Sequence, residues 1–193
     1  MRDIIKITWF CTITLLTAMN ANAKSEKFIL DPLHTNITWS ANHAGFSNPN
    51  GKFAKSSGVM FIDKKNPENS SVEVEIDTTS IITGIEAFDI HLKGADFFNV
   101  EQFKTAKFIS TKVEVMANDI AKIHGDLTLI GVTKPVILEA KLNKIGRHPF
   151  TLKKTAGFSA TTTIKRSDFG IKYGLSLVSD EVKIAFEVEG SVE

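Results

Sequence analysis

The chain has 193 residues, with 23 basic against 22 acidic side chains, a single cysteine and fourteen phenylalanines beside one tyrosine and two tryptophans. The charge balance leaves no overall electrostatic footprint for nucleic acid or an anionic membrane. Phenylalanine offers large apolar area with no polar atom to satisfy, so its surplus suits a thick dry core or the wall of an apolar cavity.

In chain order, Arg2 and Lys6 precede an apolar run from Ile7 to Met19 and the small-residue stretch Ala21-Asn22-Ala23. That order reads as a secretory signal peptide over 1–23, cleaved after Ala23. The apolar run is about a dozen residues, against the roughly twenty a membrane-spanning helix needs, which makes a retained anchor the weaker reading. Cys11 lies inside the run, so residues 24–193 carry no thiol. Disulfides, zinc–thiolate sites, iron–sulfur clusters and thiol catalysis are thereby excluded for the mature chain. Its length suits one domain with a substantial core, and an exported domain without disulfides fits a bacterial periplasm.

Alternation of apolar and polar residues marks the strands. Ile37 and Trp39 alternate with Thr38 and Ser40; Val72, Val74 and Ile76 with Glu73, Glu75 and Asp77; Ile123, Leu127 and Leu129 with Asp126 and Thr128; and Val182, Ile184, Phe186 and Val188 with lysine and glutamate. Further strands are predicted over 53–62, 106–116, 136–145 and 157–164. Turns are read at Ser47–Gly51, Lys64–Asn69, Ala117–Asp119 and Gly131–Pro135. The stretch 80–94 lacks alternation, and Ile81, Ile85, Phe88 and Leu92 fall at helical spacing, which predicts a short helix over one end. About eight short strands joined by turns call for an all-β antiparallel sandwich or closed barrel, and closure would remove exposed edges.

Four ordered motifs carry a family likeness: Asp31-x-x-His34-Thr35, Asp89-x-His91-Leu92-Lys93-Gly94-Ala95-Asp96-Phe97-Phe98, Gly125-Asp126-Leu127-Thr128-Leu129-x-Gly131-Val132-Thr133-Lys134-Pro135, and Arg166-Ser167-Asp168-Phe169-Gly170. Over residues 27–190 the chain resembles the YceI family. The resemblance implies a periplasmic, lipocalin-like antiparallel barrel, here over 24–193. It also implies an interior holding a polyisoprenoid or another long-chain amphiphile, such as a quinone or an acyl lipid, and no established catalysis or other cofactor. Phe88 departs from the family pattern, which commonly has arginine there; a less charged head group would follow if that arginine receives one.

An eight-stranded barrel is just wide enough to be filled by its own side chains or to hold one slim ligand. The small residues Gly125, Ala140, Gly157 and Ala160 beside bulky neighbours suggest local space. The wall candidates are Ile37, Trp39, Phe53, Phe97, Phe98, Phe108, Leu127, Leu129, Phe158, Phe169, Ile184 and Phe186; each is equally well read as ordinary core. Polar head-group candidates near one mouth are His34, His43, Asp89, His91, Arg166 and Asp168. Arg166 leads them because a guanidinium forks onto phosphate or carbonyl oxygens, the alternative being a pairing that closes the barrel end.

Five histidines, with Asp89-x-His91 among them, raise a metal site, but none has the i, i+4 spacing of a helical zinc motif, and structural hydrogen bonding is favoured. Gly157-Phe-Ser159-Ala-Thr161 lacks the final glycine of a nucleophile elbow, and Gly45 to Lys52 does not fit a P-loop. Binding of a small amphiphile, with transient membrane contact and no nucleic acid, is the leading reading. An enzyme using the histidine and aspartate cluster and a filled barrel without ligand are the alternatives.

Overall fold

The computed structural model describes residues 25–193; the signal peptide read over 1–23 lies outside them. Eleven strands form one antiparallel sheet. They are β1 (Glu26–Leu30), β2 (Asn36–His43), β3 (Asn50–Phe53), β4 (Ser56–Ile62), β5 (Ser71–Asp77), β6 (Ile81–Ile82), β7 (Thr105–Ala117), β8 (Ile120–Leu129), β9 (Val132–Arg147), β10 (Lys154–Lys165) and β11 (Val178–Ser191). One α-helix, α1 (Glu86–Lys93), interrupts them between β6 and β7.

Register explains how eleven strands make eight walls. β4 pairs with β1 and β3 with β2, while β5 pairs with β4 and β6 with β3, so each of the first three walls is one strand broken in the middle. β11 then closes the barrel. Most of its length pairs with β2, while Gly190 and Ser191 at its end pair with Leu30 and Ile29 of β1.

The breaks lie at residues 31–35, 54–55 and 78–80, and side chains satisfy the backbone there. Ser80 accepts from the Lys55 amide through Oγ at 3.0 Å and from the Ala54 amide through its carbonyl at 3.1 Å. Thr78, fully buried, donates from Oγ1 to the Phe103 carbonyl at 2.6 Å. These corners separate strands that alternation over 53–62 had joined into one.

Three other sequence readings change. Helical spacing placed Ile81 on the helix, but Ile81 belongs to β6 and is fully buried there; α1 starts five residues later. β1 has too few alternating positions to stand out. Gly131–Pro135 is not a five-residue turn. Ile130 (φ 42°) and Gly131 (φ 77°) make a two-residue hairpin turn with φ positive at both positions, the geometry that matches strand twist. Val132–Pro135 already belongs to β9. Pro135 is tolerated because the β9–β10 ladder ends at Glu139, leaving this part of β9 unpaired on that side.

The topology sends α1, the 44–49 loop, the 130–131 turn and the 166–177 segment to one end of the barrel. The 63–70 loop, the 118–119 turn and the 148–153 loop gather at the other, here called the far end. Among the described residues no helix is long and apolar enough to cross a membrane. The outward faces of β5 and β11 carry Glu73, Glu75, Lys183 and Glu187, all exposed, the reverse of a barrel whose outer belt meets lipid.

Candidate functional site: an end-to-end apolar cavity

The inward faces of the strands enclose a cavity of about 1050 Å³ that reaches both ends of the barrel. Small-molecule pockets run to roughly 300–1,000 Å³, so this one sits at the upper limit. It is also long. A thirteen-residue strand such as β7, at about 3.3 Å per residue and a tilt of about 40°, spans roughly 33 Å along the barrel axis. Spread over that length, the volume leaves a bore wide enough for one extended chain.

Strand alternation builds the wall. Val72, Val74 and Ile76 of β5 and Val182, Ile184, Phe186 and Val188 of β11 all line the cavity, while their alternating partners face outward. Across the β8–β9–β10 ladder Ala121, Ala140 and Ala160 stand side by side at one level, and all three line the cavity. Ala140 and Ala160 therefore open the bore, as small residues beside bulky ones suggested. Gly125 and Gly157 do not. A Cβ on Gly125 would lie 2.5 Å from Cε2 of Phe108, whose ring already fills that space, and Gly157 borders a separate groove shared with Lys144 and Arg147.

Eleven of the twelve apolar wall candidates line the cavity; Phe169 does not. It is 1% exposed in the packed core, where it sits in the short 3₁₀ segment Arg166–Phe169 that follows β10. Near α1, Trp39 meets Phe88 edge to face at 6.3 Å and Phe53 meets Phe98 at 5.5 Å. Phe88 was read in the sequence as a helix position and a departure from a family pattern, not as a wall residue, yet with His91 and Leu92 it forms the inner surface of the helical cap.

The polar candidates divide. His43, His91 and Arg166 line the cavity at its α1 end; His34, Asp89 and Asp168 do not. His34 sits in the 31–35 break, its Nδ1 at 2.7 Å from Asp31 Oδ2. That hydrogen bond, then the Leu33 amide, holds Asp31 below the ordinary carboxylate value, and the same bond raises the His34 pKa. Asp89 anchors the helix to β6, accepting from the Thr83 amide and hydroxyl at 2.6 Å each. Asp168 is exposed on the outside of the 3₁₀ segment. The sequence grouped these residues at one mouth, but Asp89 satisfies the nearby Thr83 backbone, and His34 pairs with Asp31, which itself accepts from the Leu33 amide.

His91 faces the rings of Phe97 and Tyr173 at 5.0 and 4.9 Å, with Asp96 Oδ2 at 3.5 Å from its Nε2. Asp89 and His91 thus serve separate neighbours, Thr83 and Asp96. Among the described residues no three His, Cys, Asp or Glu side chains gather closely enough to hold a metal ion.

Arg166 is 5% exposed, and backbone carbonyls occupy its guanidinium. Nε donates to Ser179 at 2.9 Å, Nη1 to Tyr173 at 2.6 Å and Ile171 at 3.3 Å, and Nη2 to Val178 at 3.0 Å. Beside it the Ser167 amide and hydroxyl donate to the two oxygens of Asp180 at 2.9 and 2.7 Å. Those two donors, and the Arg166 charge after them, hold Asp180 below its ordinary value. With four carbonyls on a fork of five N–H donors, Arg166 knits the β10–β11 connection, the closing role that the sequence offered as the alternative to receiving a head group.

An eight-walled closed barrel, capped by one helix and bored by a long apolar cavity, defines the class of protein. The YceI-like domain matches residues 28–190, and the chain belongs to that family. Similar proteins include a UPF0312 protein of Pseudomonas aeruginosa, 42% identical over 177 residues and 91% of each chain, and one of Pseudomonas putida, 38% identical over 176 residues and likewise 91% of each. Among solved structures, the Campylobacter jejuni YceI protein superposes with a TM-score of 0.70 at 31% identity, over 79% of this chain and 90% of that one. Burkholderia cenocepacia BcnA gives 0.75 at 23% identity, over 83% and 98%. A polyisoprenoid binding domain from Saccharophagus degradans gives 0.66 at 16%, over 88% and 99%. The last two share the fold.

Proposed function

We propose that this chain is an exported binding protein that carries one long-chain amphiphile, a polyisoprenoid, quinone or acyl lipid, threaded through the barrel, and that it catalyses no reaction on it. The observation that carries the reading is the end-to-end cavity of about 1050 Å³ with an apolar wall. Each methylene buried there would contribute about 0.8 kcal/mol, so chain length supplies affinity with few polar contacts. The name of the Saccharophagus degradans domain, which shares the fold, supports an isoprenoid ligand. Export is supported by the charged, apolar and small-residue order of residues 1–23.

The test is to purify the protein without detergent from cells that export it and to analyse a denaturing organic extract by mass spectrometry. A near-stoichiometric isoprenoid, quinone or acyl compound is the expected result and identifies the ligand class. A clean extract, with no thermal shift when such compounds are added back, would overturn the reading. The mass of the recovered chain tests cleavage after Ala23.

A further inference from the structure

The near-neutral total charge hides a local concentration. From Lys141 to Lys165 the sequence has no acidic residue, and the hairpin joining β9 to β10 carries Lys141, Lys144, Arg147, Lys153 and Lys154, all exposed. Arg147 and Lys154 stand directly opposite each other in the ladder, a like-charge pair that costs stability. The one ion pair on this hairpin joins Lys154 to Glu26 of β1, which leaves four cations unpaired by salt bridges among the described residues. Glu189, opposite Gly157, is the nearest acid along β11 and among the described residues forms no salt bridge with the hairpin, and Glu187, two residues further on, is engaged by the Ser159 hydroxyl.

Phe150 at the tip is 89% exposed and Leu152 is 56% exposed. They do not hang from a frayed loop. Nδ1 of His148 accepts from the amides of Phe150 and Thr151, the His148 carbonyl accepts from Leu152, and Arg147 Nε donates to the Leu152 carbonyl at 3.0 Å. The loop therefore presents an aromatic and an aliphatic side chain outward inside a collar of cations. Cations neighbouring exposed apolar side chains match the two layers of a membrane surface, anionic head groups and the acyl boundary beneath them.

We infer that the β9–β10 hairpin docks the protein on an anionic lipid bilayer, with Phe150 and Leu152 inserted at the interface and Lys144, Arg147 and Lys153 on the head groups. The inner face of the same hairpin, through Leu142, Ile145 and Phe158, is cavity wall. Docking at the tip sets the far end of the bore on the membrane, where an amphiphile would enter or leave. This route rests on the carrier reading; the docking rests on the hairpin alone.

The experiment is sedimentation of the purified protein with vesicles of phosphatidylcholine alone or mixed with phosphatidylglycerol, at low and high salt. Every chain compared has the same N-terminus, so differences report on the hairpin. Stronger binding to the anionic vesicles, reduced by salt, is expected. Each cation removed should weaken that binding about fivefold, so K144Q/K153Q should lose roughly thirtyfold, and F150A about tenfold, with unfolding temperatures unchanged. Equal binding of the parent protein to both vesicles, or full binding by either variant, would overturn the docking. Lipid extracted from K144Q/K153Q tests the carrier reading separately, because a ligand retained by a chain that no longer sediments leaves that reading standing.

Discussion

Arg166 holds Tyr173 by its carbonyl oxygen at 2.6 Å, and the same guanidinium holds Ile171, Val178 and Ser179. The crossover from β10 to β11 thus hangs on one buried cation. Arg166→Met should remove these bonds and strand several carbonyls, a loss of about 3 kcal/mol. Arg166→Lys should recover little, because a compact ammonium cannot reproduce the planar fork. A thermal melt should show the midpoint down by roughly 6–12 °C for the methionine variant. A midpoint unchanged, with ligand retention alone reduced, would assign Arg166 to the head group instead.

Gly125 tests close packing in the sheet. A methyl there would meet Cε2 of Phe108 at 2.5 Å and the Ile109 carbonyl at 2.6 Å, and the backbone oxygen cannot move aside as a flexible side chain can. Gly125→Ala should destabilise by about 1–3 kcal/mol, the usual cost of overpacking. Pairing it with Phe108→Leu should recover part of the loss; denaturant unfolding of the two chains measures the coupling.

The Asp31–His34 pair makes a pH-dependent contact in the break between β1 and β2. Asp31 is lowered from 3.8, so its contribution is present above that value and is lost as pH falls through its folded value. His34 is raised from 6.5, so its contribution is complete below 6.5 and is lost as pH rises through its folded value. The pair is worth most between those ordinary values. Proton NMR of the His34 ring should show a midpoint above the ordinary value, and Asp31→Asn should return it. A His34 midpoint unaffected by that substitution would remove the pair from the account.

Much of the architecture was legible because barrel strands with one dry face carry period-two alternation along β5 and β11; the strand count alone left a sandwich open, and the family likeness pointed to the barrel. Alternation also found the wall, since inward residues and cavity lining are the same positions. Phe169 failed that rule because it follows β10 on a 3₁₀ segment, where period two no longer tells inside from outside. The polar candidates were less legible for a physical reason. Aspartate and arginine serve backbone groups at corners as readily as ligands, and the spacing of Asp89 from Thr83 or of Arg166 from Ser179 does not say which use the fold selects. The hairpin cations escaped notice because an overall charge balance averages over the surface on which they concentrate.

Whether the bore is working space or a loosely packed core can be decided at Ala140 and Ala160. These residues are partners across the β9–β10 ladder and face the cavity at one level. In a filled core, enlarging both to leucine should cost about 1–3 kcal/mol through strain. In an open bore the added methylenes enter empty space and bury apolar area, so Ala140→Leu with Ala160→Leu should leave the ligand-free protein as stable as before or more so. The same change narrows the passage at that level, so the copurified amphiphile should fall well below one per chain. Denaturant unfolding after delipidation, read beside the mass spectrum of the extract, separates the cases: undiminished stability with lost ligand marks a binding channel, whereas lost stability marks a core.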